Sequence, residues 1–184
     1  MSRAIYVRIC IAYNLRHRYE AVLDIARAMR VHSVPDLPAF PLRHRIGIRQ
    51  RGLILRSDGD DGLECSWARW SLIPHGSKEP PRYPLNNARS DKLDAWPWKA
   101  VRDQRCLVPA SGFWEPEKKA GAKGNVPWRY YSMRDGMPFF MAGLWSNAHD
   151  SQTGEVADSY TVVIDEANEA IHIHDRMPVI LSHD

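Results

Sequence analysis

Residues 4–12 alternate, with Ile5, Val7, Ile9 and Ile11 on one side and Ala4, Tyr6, Arg8 and Cys10 on the other. A two-residue period predicts a half-buried strand, with Cys10 turned away from the isoleucines. From Arg16 to Val31 the spacing changes: Tyr19, Val22, Leu23, Ala26 and Met29 recur at helical intervals and predict an amphipathic helix that stops before Pro35. The segment 35–41 is punctuated by prolines and reads as a loop. Leu53-Ile54-Leu55 and the stretch 63–72 read as strands, and Ser57-Asp58-Gly59-Asp60-Asp61-Gly62 between them is hairpin-turn chemistry. Asp58, Asp60, Gly62 and Glu64 superficially resemble the start of a calcium loop, but the carboxylate that such loops need at the twelfth position is missing. Residues 74–87, rich in Pro, Gly and Lys, predict an exposed loop, followed by a helical patch broken at Pro97. Four further strands are predicted at 106–109, 128–133, 139–145 and 160–164, all aromatic or β-branched. The Lys-, Gly- and Ala-rich segment 117–126 is the expected mobile hairpin tip.

Seven or eight strands with two or three helices, no internal repeat and no linker predict one α+β domain built mainly on antiparallel sheet. At 184 residues and 44% apolar the chain can bury a core without staples. Cys10, Cys65 and Cys106 form no C-x-x-C pair, which argues against a zinc knot and a disulfide framework and fits a reducing cytoplasm. No apolar run reaches the roughly 18 residues of a membrane span. The net charge is only +3, yet Arg43, His44, Arg45, Arg49, Arg51 and Arg56 bunch together, as either a solvated face or a track for a phosphate backbone.

The stretch carrying the densest chemistry is Ile173-His174-Asp175-Arg176-Met177-Pro178-Val179-Ile180-Leu181, a polar cluster set against an apolar run. It holds a titratable imidazole at the edge of the core. Alone, such a histidine is more often structural. Three other stretches complete a set: Cys10-Ile11, Asn86-Asn87-Ala88-Arg89 and Ser111-Gly112-Phe113-Trp114-Glu115. In this order, and with Trp70-Ser71-Leu72-Ile73-Pro74, Arg105-Cys106-Leu107-Val108-Pro109-Ala110 and Ala142-Gly143-Leu144-Trp145, they closely resemble the SOS response-associated peptidase (SRAP) family, whose members shield abasic sites in single-stranded DNA. The resemblance runs from Cys10 to Leu181.

It implies a barrel-like, β-rich fold with a few peripheral helices, and an N-terminal cysteine whose amine and thiol condense with the ring-opened sugar of an abasic site to give a thiazolidine. The chemistry is sound on its own terms. An α-amine with a pKa near 8 is about one tenth neutral at pH 7 and can form an imine, and the neighbouring thiol closes a five-membered ring. By position, the resemblance makes Cys10, Asn87, Glu115 and His174 catalytic. Glu115 would move protons around the amine and thiol, His174 would serve as acid or base at the sugar or imine, and Asn87 would orient the cysteine or sugar. Arg89, Arg49, Trp70, Trp114 and Arg176 would contact DNA, and Asp175 with Arg176 would steady the imidazole. No metal or cofactor is expected, and the partner implied is single-stranded DNA, bound by a cytoplasmic, nucleoid-associated monomer.

Residues 1–9 depart from the family pattern, in which the cysteine directly follows the initiator methionine. They make the Cys10 nitrogen an amide, which cannot form an imine. Residues 1–9 are therefore expected to be an extension, removed by self-cleavage or untranslated, before a domain at 10–184 that lacks the helical tail of many relatives. The motif also lacks the tryptophan that commonly follows Leu-Ile-Pro, since His75, Gly76 and Ser77 stand there. Two other readings compete. A non-covalent single-stranded DNA-binding module would leave no crosslink, and a hydrolase using His172, His174 and Asp175 would need a bound metal.

Overall fold

The computed structural model describes residues 12–17, 19–28, 43–59, 62–77, 80–117, 126–149, 156–171 and 173–181. β1 (Ala12–Leu15) lies between β2 (Arg43–Gly47) and β7 (Gly112–Pro116), and β8 (Trp128–Tyr131) completes a four-stranded antiparallel sheet in the order β2-β1-β7-β8. A larger sheet is built from β3 (Arg51–Ser57), β4 (Leu63–Trp70), β6 (Arg105–Ala110), β9 (Phe139–His149) and β10 (Val156–Glu166). Its pairings close on themselves as the ring β3-β4-β10-β9-β6-β3. Short strands β5 (Asn87–Arg89), β11 (Arg176–Pro178) and β12 (Ile180–Leu181) are added to β10 and β9. The ring is mixed rather than wholly antiparallel, because β4 and β5 both run parallel to β10.

The core sits where the small sheet faces the ring. Tyr13, Ile46 and Phe113 from the small sheet pack with Ile54, Trp70, Val108, Met141, Tyr160 and Val162 from the ring. Side chains alternate across β3, so Leu53 and Leu55 point the other way. There they meet Leu15 with Val22 and Ala26 of α1 (Tyr19–Ala28), the one α-helix among the described residues. A third cluster packs Leu72, Ala88, Trp98 and Val101 on Leu144 and Val163. The hydroxyls of Tyr13 and Tyr160 share a hydrogen bond of 2.5 Å directly over Gly52, where a Cβ would strike both.

The 53–55 and 63–72 strands pair through the predicted turn, with Asp58 Oδ1 accepting the Gly62 N–H at 3.0 Å. Two expectations are corrected, while of the strand expected at 4–12 only Ala12 is described, at the start of the buried strand Ala12–Leu15. The helix begins at Tyr19, because the Ser111 hydroxyl takes the Arg16 backbone N–H at 2.8 Å and bonds His17 Nδ1 at 2.7 Å, holding both residues out of it. Past Asn87 the helical patch is two 3-10 turns, Ser90–Lys92 and Trp98–Ala100, split by Pro97. The strand at 4–11, the helix end at 29–31, the loop at 35–41 and residues 118–125 of the expected hairpin tip lie outside the described residues. No helix among the described residues is long and apolar enough to cross a membrane.

Candidate active site

Glu115 is carried into the interior by strand alternation. Phe113 and Glu115 share the inward face of β7 and are 1% and 0% exposed, while Trp114 between them faces the other way. A buried carboxylate is costly unless its surroundings serve it, which is why such a residue in a cleft is a functional candidate. Beside it, burial and the nearby Glu115 and Glu117 carboxylates push the Tyr131 phenol up, against the opposing pull of Arg129. β1 runs alongside this strand with Ala12 opposite Trp114. Cys10, two residues before Ala12, lies outside the described residues.

Asn87 opens β5 and sits opposite Val162 of β10. Two donors hold the Asn86 carbonyl beside it, the Val162 backbone N–H at 3.0 Å and the Trp70 side chain. The Trp70 indole N–H donates to the Asn86 carbonyl at 2.8 Å, and the ring meets Tyr13 edge-on at 5.2 Å and stacks on Tyr160 at 6.5 Å. At 0% exposure Trp70 has no face to offer a nucleobase, so the expected DNA contact is corrected: this tryptophan ties β1 to the Asn87 strand from inside the core.

His174 leads into β11, and its side chain is only 5% exposed. Its Nδ1 lies 3.1 Å from the Arg176 backbone N–H and 2.8 Å from Asp175 Oδ1. These contacts serve different protonation states. Unprotonated Nδ1 accepts the N–H, whereas protonated Nδ1 donates to the carboxylate. Either state of the ring nitrogen therefore has a partner, and the Arg176 contribution comes from its backbone.

Arg89, exposed on β5 along the opposite edge of β10 from β11, forms a two-bond pair with Asp91, Nε to Oδ1 at 2.9 Å and Nη2 to Oδ2 at 2.7 Å. Those bonds push the Arg89 guanidinium further up and hold the Asp91 carboxyl below its usual range. Asp175 and Glu166 also act on Arg89, and Arg176 acts on Asp91, so the Arg89 and Arg176 cations share one charged patch. Arg49 is exposed in the β2–β3 turn at a φ of 71°, with its backbone N–H on the Trp70 carbonyl at 2.6 Å and its Nη2 on the Arg82 carbonyl at 2.9 Å. Of the basic bunch, Arg45, Arg49 and Arg51 are exposed, whereas Arg56 is engaged by Glu64, Asp158 and the Trp145 ring. Trp114 is half-buried with its ring 4.9 Å from that of Tyr130.

Two of the three thiols are unsuited to nucleophilic attack. Burial, with Glu64 adding to it, pushes Cys65 up to about 12, and burial pushes Cys106 further still. Both folded thiols thus hold their protons more tightly than unfolded ones do. Their contribution to stability is fully present below the unfolded pKa, near 9, and fades as pH rises toward 12. Melting temperature is expected to fall between pH 8 and pH 10.5, and iodoacetamide at pH 8 should leave Cys65 and Cys106 unmodified in the native protein. Peptide mass mapping after alkylation, with and without urea, checks this, and rapid native labelling of either cysteine contradicts it.

Three of the motif stretches meet one hydrophobic cluster, which β1 also enters through Tyr13. Phe113 precedes Glu115 by two residues, Trp70 holds Asn86 and Ile171 precedes His174 by three; these belong to the cluster with Tyr13, and Met177 packs against it. The sequence offered no sign that Trp70 and the Tyr13–Tyr160 hydroxyl pair do this joining, because burial and cross-chain pairing are tertiary properties. Among the described residues no three His, Cys, Asp or Glu side chains gather as a metal site, and His172 lies outside them.

This ring-and-sheet architecture, with its buried carboxylate, carboxamide and imidazole, defines a class. The chain matches the SOS response associated peptidase (SRAP) family over residues 9–184 and belongs to it. It is 32% identical over 170 residues to the abasic site processing protein YoaM of Bacillus subtilis, covering 90% of this chain and 73% of that protein. It is likewise 32% identical over 140 residues to the abasic site processing protein HMCES of Xenopus tropicalis, covering 63% of this chain and 41% of that one. The chain spans 62% of YoqW, another B. subtilis abasic site processing protein to which it is 32% identical over 143 residues, covering 76% of this chain. Its fold is that of a Bordetella bronchiseptica protein of known structure, with a TM-score of 0.72 at 25% identity over 95% of this chain and 84% of the other. A Bacteroides thetaiotaomicron protein superposes equally well, TM-score 0.72 at 22% identity, over 94% of this chain and 77% of its own.

Proposed function

We propose that this chain processes abasic sites in damaged DNA by capturing them covalently at Cys10, in single-stranded DNA and as a monomer. The observation that carries the reading is Glu115, fully buried on the strand that runs beside β1. Cys10 precedes Ala12, the first residue of β1, by only two positions, which supports the reading. The family match begins at residue 9, one position before the cysteine.

Capture requires a free amine, so the Ile9–Cys10 peptide bond is hydrolysed first, one water being consumed, or residues 1–9 are not translated. The Cys10 amine then adds to the C1 aldehyde of the ring-opened sugar, and water leaves to give an imine. The thiol sulfur adds to the imine carbon, its proton passes to nitrogen, and the thiazolidine closes. Glu115 shuttles the protons at nitrogen and sulfur, and His174 serves the sugar oxygen with its two partnered states. Asn87 orients the reacting groups, and Arg89 and Arg176 hold phosphates beside the abasic nucleotide. A lyase side reaction follows if the imine eliminates the 3′ phosphate before the ring closes.

The test is intact-mass analysis of the purified protein, followed by incubation with abasic single-stranded DNA and a denaturing gel. The expected result is a chain that starts at Cys10 and a shifted band that Cys10→Ala abolishes. A mass that retains residues 1–9, with no shifted band, overturns the reading, and retarded DNA on a native gel alone would then favour a non-covalent binding module.

A further inference from the structure

The face of the four-stranded sheet that points away from Glu115 is not used by this chemistry. Alternation sets Trp114 on that face, and the register places Tyr130 opposite Trp114 and Trp128 opposite Pro116. Trp128 and Tyr130 are 42% and 41% exposed, among the most exposed large apolar side chains of the protein. From the far edge of the sheet Arg45 reaches across, its guanidinium 5.5 Å from the centre of the Trp128 ring. Arg45 has no ion pair among the described residues, and the register sets no carboxylate on this face among them.

The Tyr130 ring is held in place before any ligand arrives. The Tyr130 hydroxyl lies 3.1 Å from Asn14 Oδ1 and 3.3 Å from the Ser111 carbonyl, and so is fixed by a buried amide or by the backbone. Its ring lies on Gly112, where a Cβ would collide with it, and the tilted contact with Trp114 braces it from the side.

We infer that this face is a stacking platform for the bases of single-stranded DNA, separate from the capture site on the other side of β7. The chemistry identifies the occupant. Among the described residues, apart from Pro116, Asn14 and small residues, the face is made of rings and a cation without an ion pair, with no aliphatic patch of the kind a packed protein interface would bury. Aromatic side chains with a nearby Arg are the combination that binds single strands without reading sequence, since every base has a π-face and the guanidinium meets the backbone charge. Trp128 and Tyr130 stand two residues apart on one strand, about 7 Å, room for one base between two rings at about 3.4 Å per layer.

The test uses undamaged, fluorescein-labelled oligothymidylate, read by anisotropy on the full chain and on its Cys10→Ala variant, so that failure of covalent capture leaves it unaffected. Trp128→Ala is expected to weaken binding by about fivefold or more, Trp128→Phe to retain most of the affinity, and Arg45→Gln to flatten the salt dependence by about one unit of slope. Unchanged thermal melting shows that the exposed Trp128 substitutions leave the fold intact. Equal affinities for wild type and Trp128→Ala, no binding of the oligomer, or displacement of it by inorganic polyphosphate as readily as by unlabelled oligothymidylate would each overturn the platform.

Discussion

Glutamine in place of Glu115 is expected to slow covalent capture of an abasic site by about 10²- to 10⁴-fold, the usual worth of a positioned acid or base. Glutamine keeps the shape of the side chain and can still accept a hydrogen bond, but it cannot carry a proton between the Cys10 amine, the thiol and the departing water. Because Glu115 is 0% exposed, the substitution also exchanges an ionisable buried group for a neutral one. Burying an ionised carboxylate costs free energy, so the fold is expected to tolerate the change. Rate and stability are thereby separated: thermal melting stays close to wild type while the crosslinking rate collapses. Capture by Glu115→Gln at the wild-type rate, followed as a time course on denaturing gels, would remove Glu115 from the mechanism and leave its burial without a chemical purpose.

The elements legible in the sequence are those whose local pattern and tertiary role agree. β3 and β4 flank Gly- and Asp-rich turn chemistry, and β6, β9 and β10 carry β-branched and aromatic runs, so residue type and the turns between runs located them. β2, β5, β7, β11 and β12 escaped, being two to five residues long, too short for a period to show. β2 is also crowded with Arg and His, which read as surface charge. The delayed start of α1 was illegible for another reason, since the hydroxyl that holds Arg16 and His17 belongs to a serine 95 and 94 residues away. At the site, motif order named Glu115, Asn87 and His174, and their flanks converge on one cluster. What the motif could not convey is which neighbours engage the cations. The bond from Asp91 to Arg89 spans only two residues, yet it depends on the 3-10 turn that follows β5. A phosphate arriving at Arg89 must displace that carboxylate or share the guanidinium with it.

Trp70 is where fold and site are joined, and replacing it should affect both. Trp70→Ala is expected to cost about 3–5 kcal/mol of stability, because the ring is 0% exposed and packs between Tyr13 and Tyr160. Trp70→Phe separates the two roles. It keeps most of the packing but removes the indole N–H that holds the Asn86 carbonyl at 2.8 Å, a bond worth about 0.5–1.5 kcal/mol net. The Asn86 carbonyl then keeps only the Val162 backbone N–H at 3.0 Å, so the adjacent Asn87 is held less firmly against β10, and misplacing a group by about 1 Å can cost 10²-fold in rate. Trp70→Phe should therefore melt only a few degrees lower, yet capture abasic DNA much more slowly at a temperature where it is fully folded. Urea unfolding measures the first effect and crosslinking kinetics the second. Should Trp70→Phe lose stability while capturing DNA at the wild-type rate, Trp70 would be an ordinary core residue, and the placement of Asn87 would have to come from its pairing with Val162 alone.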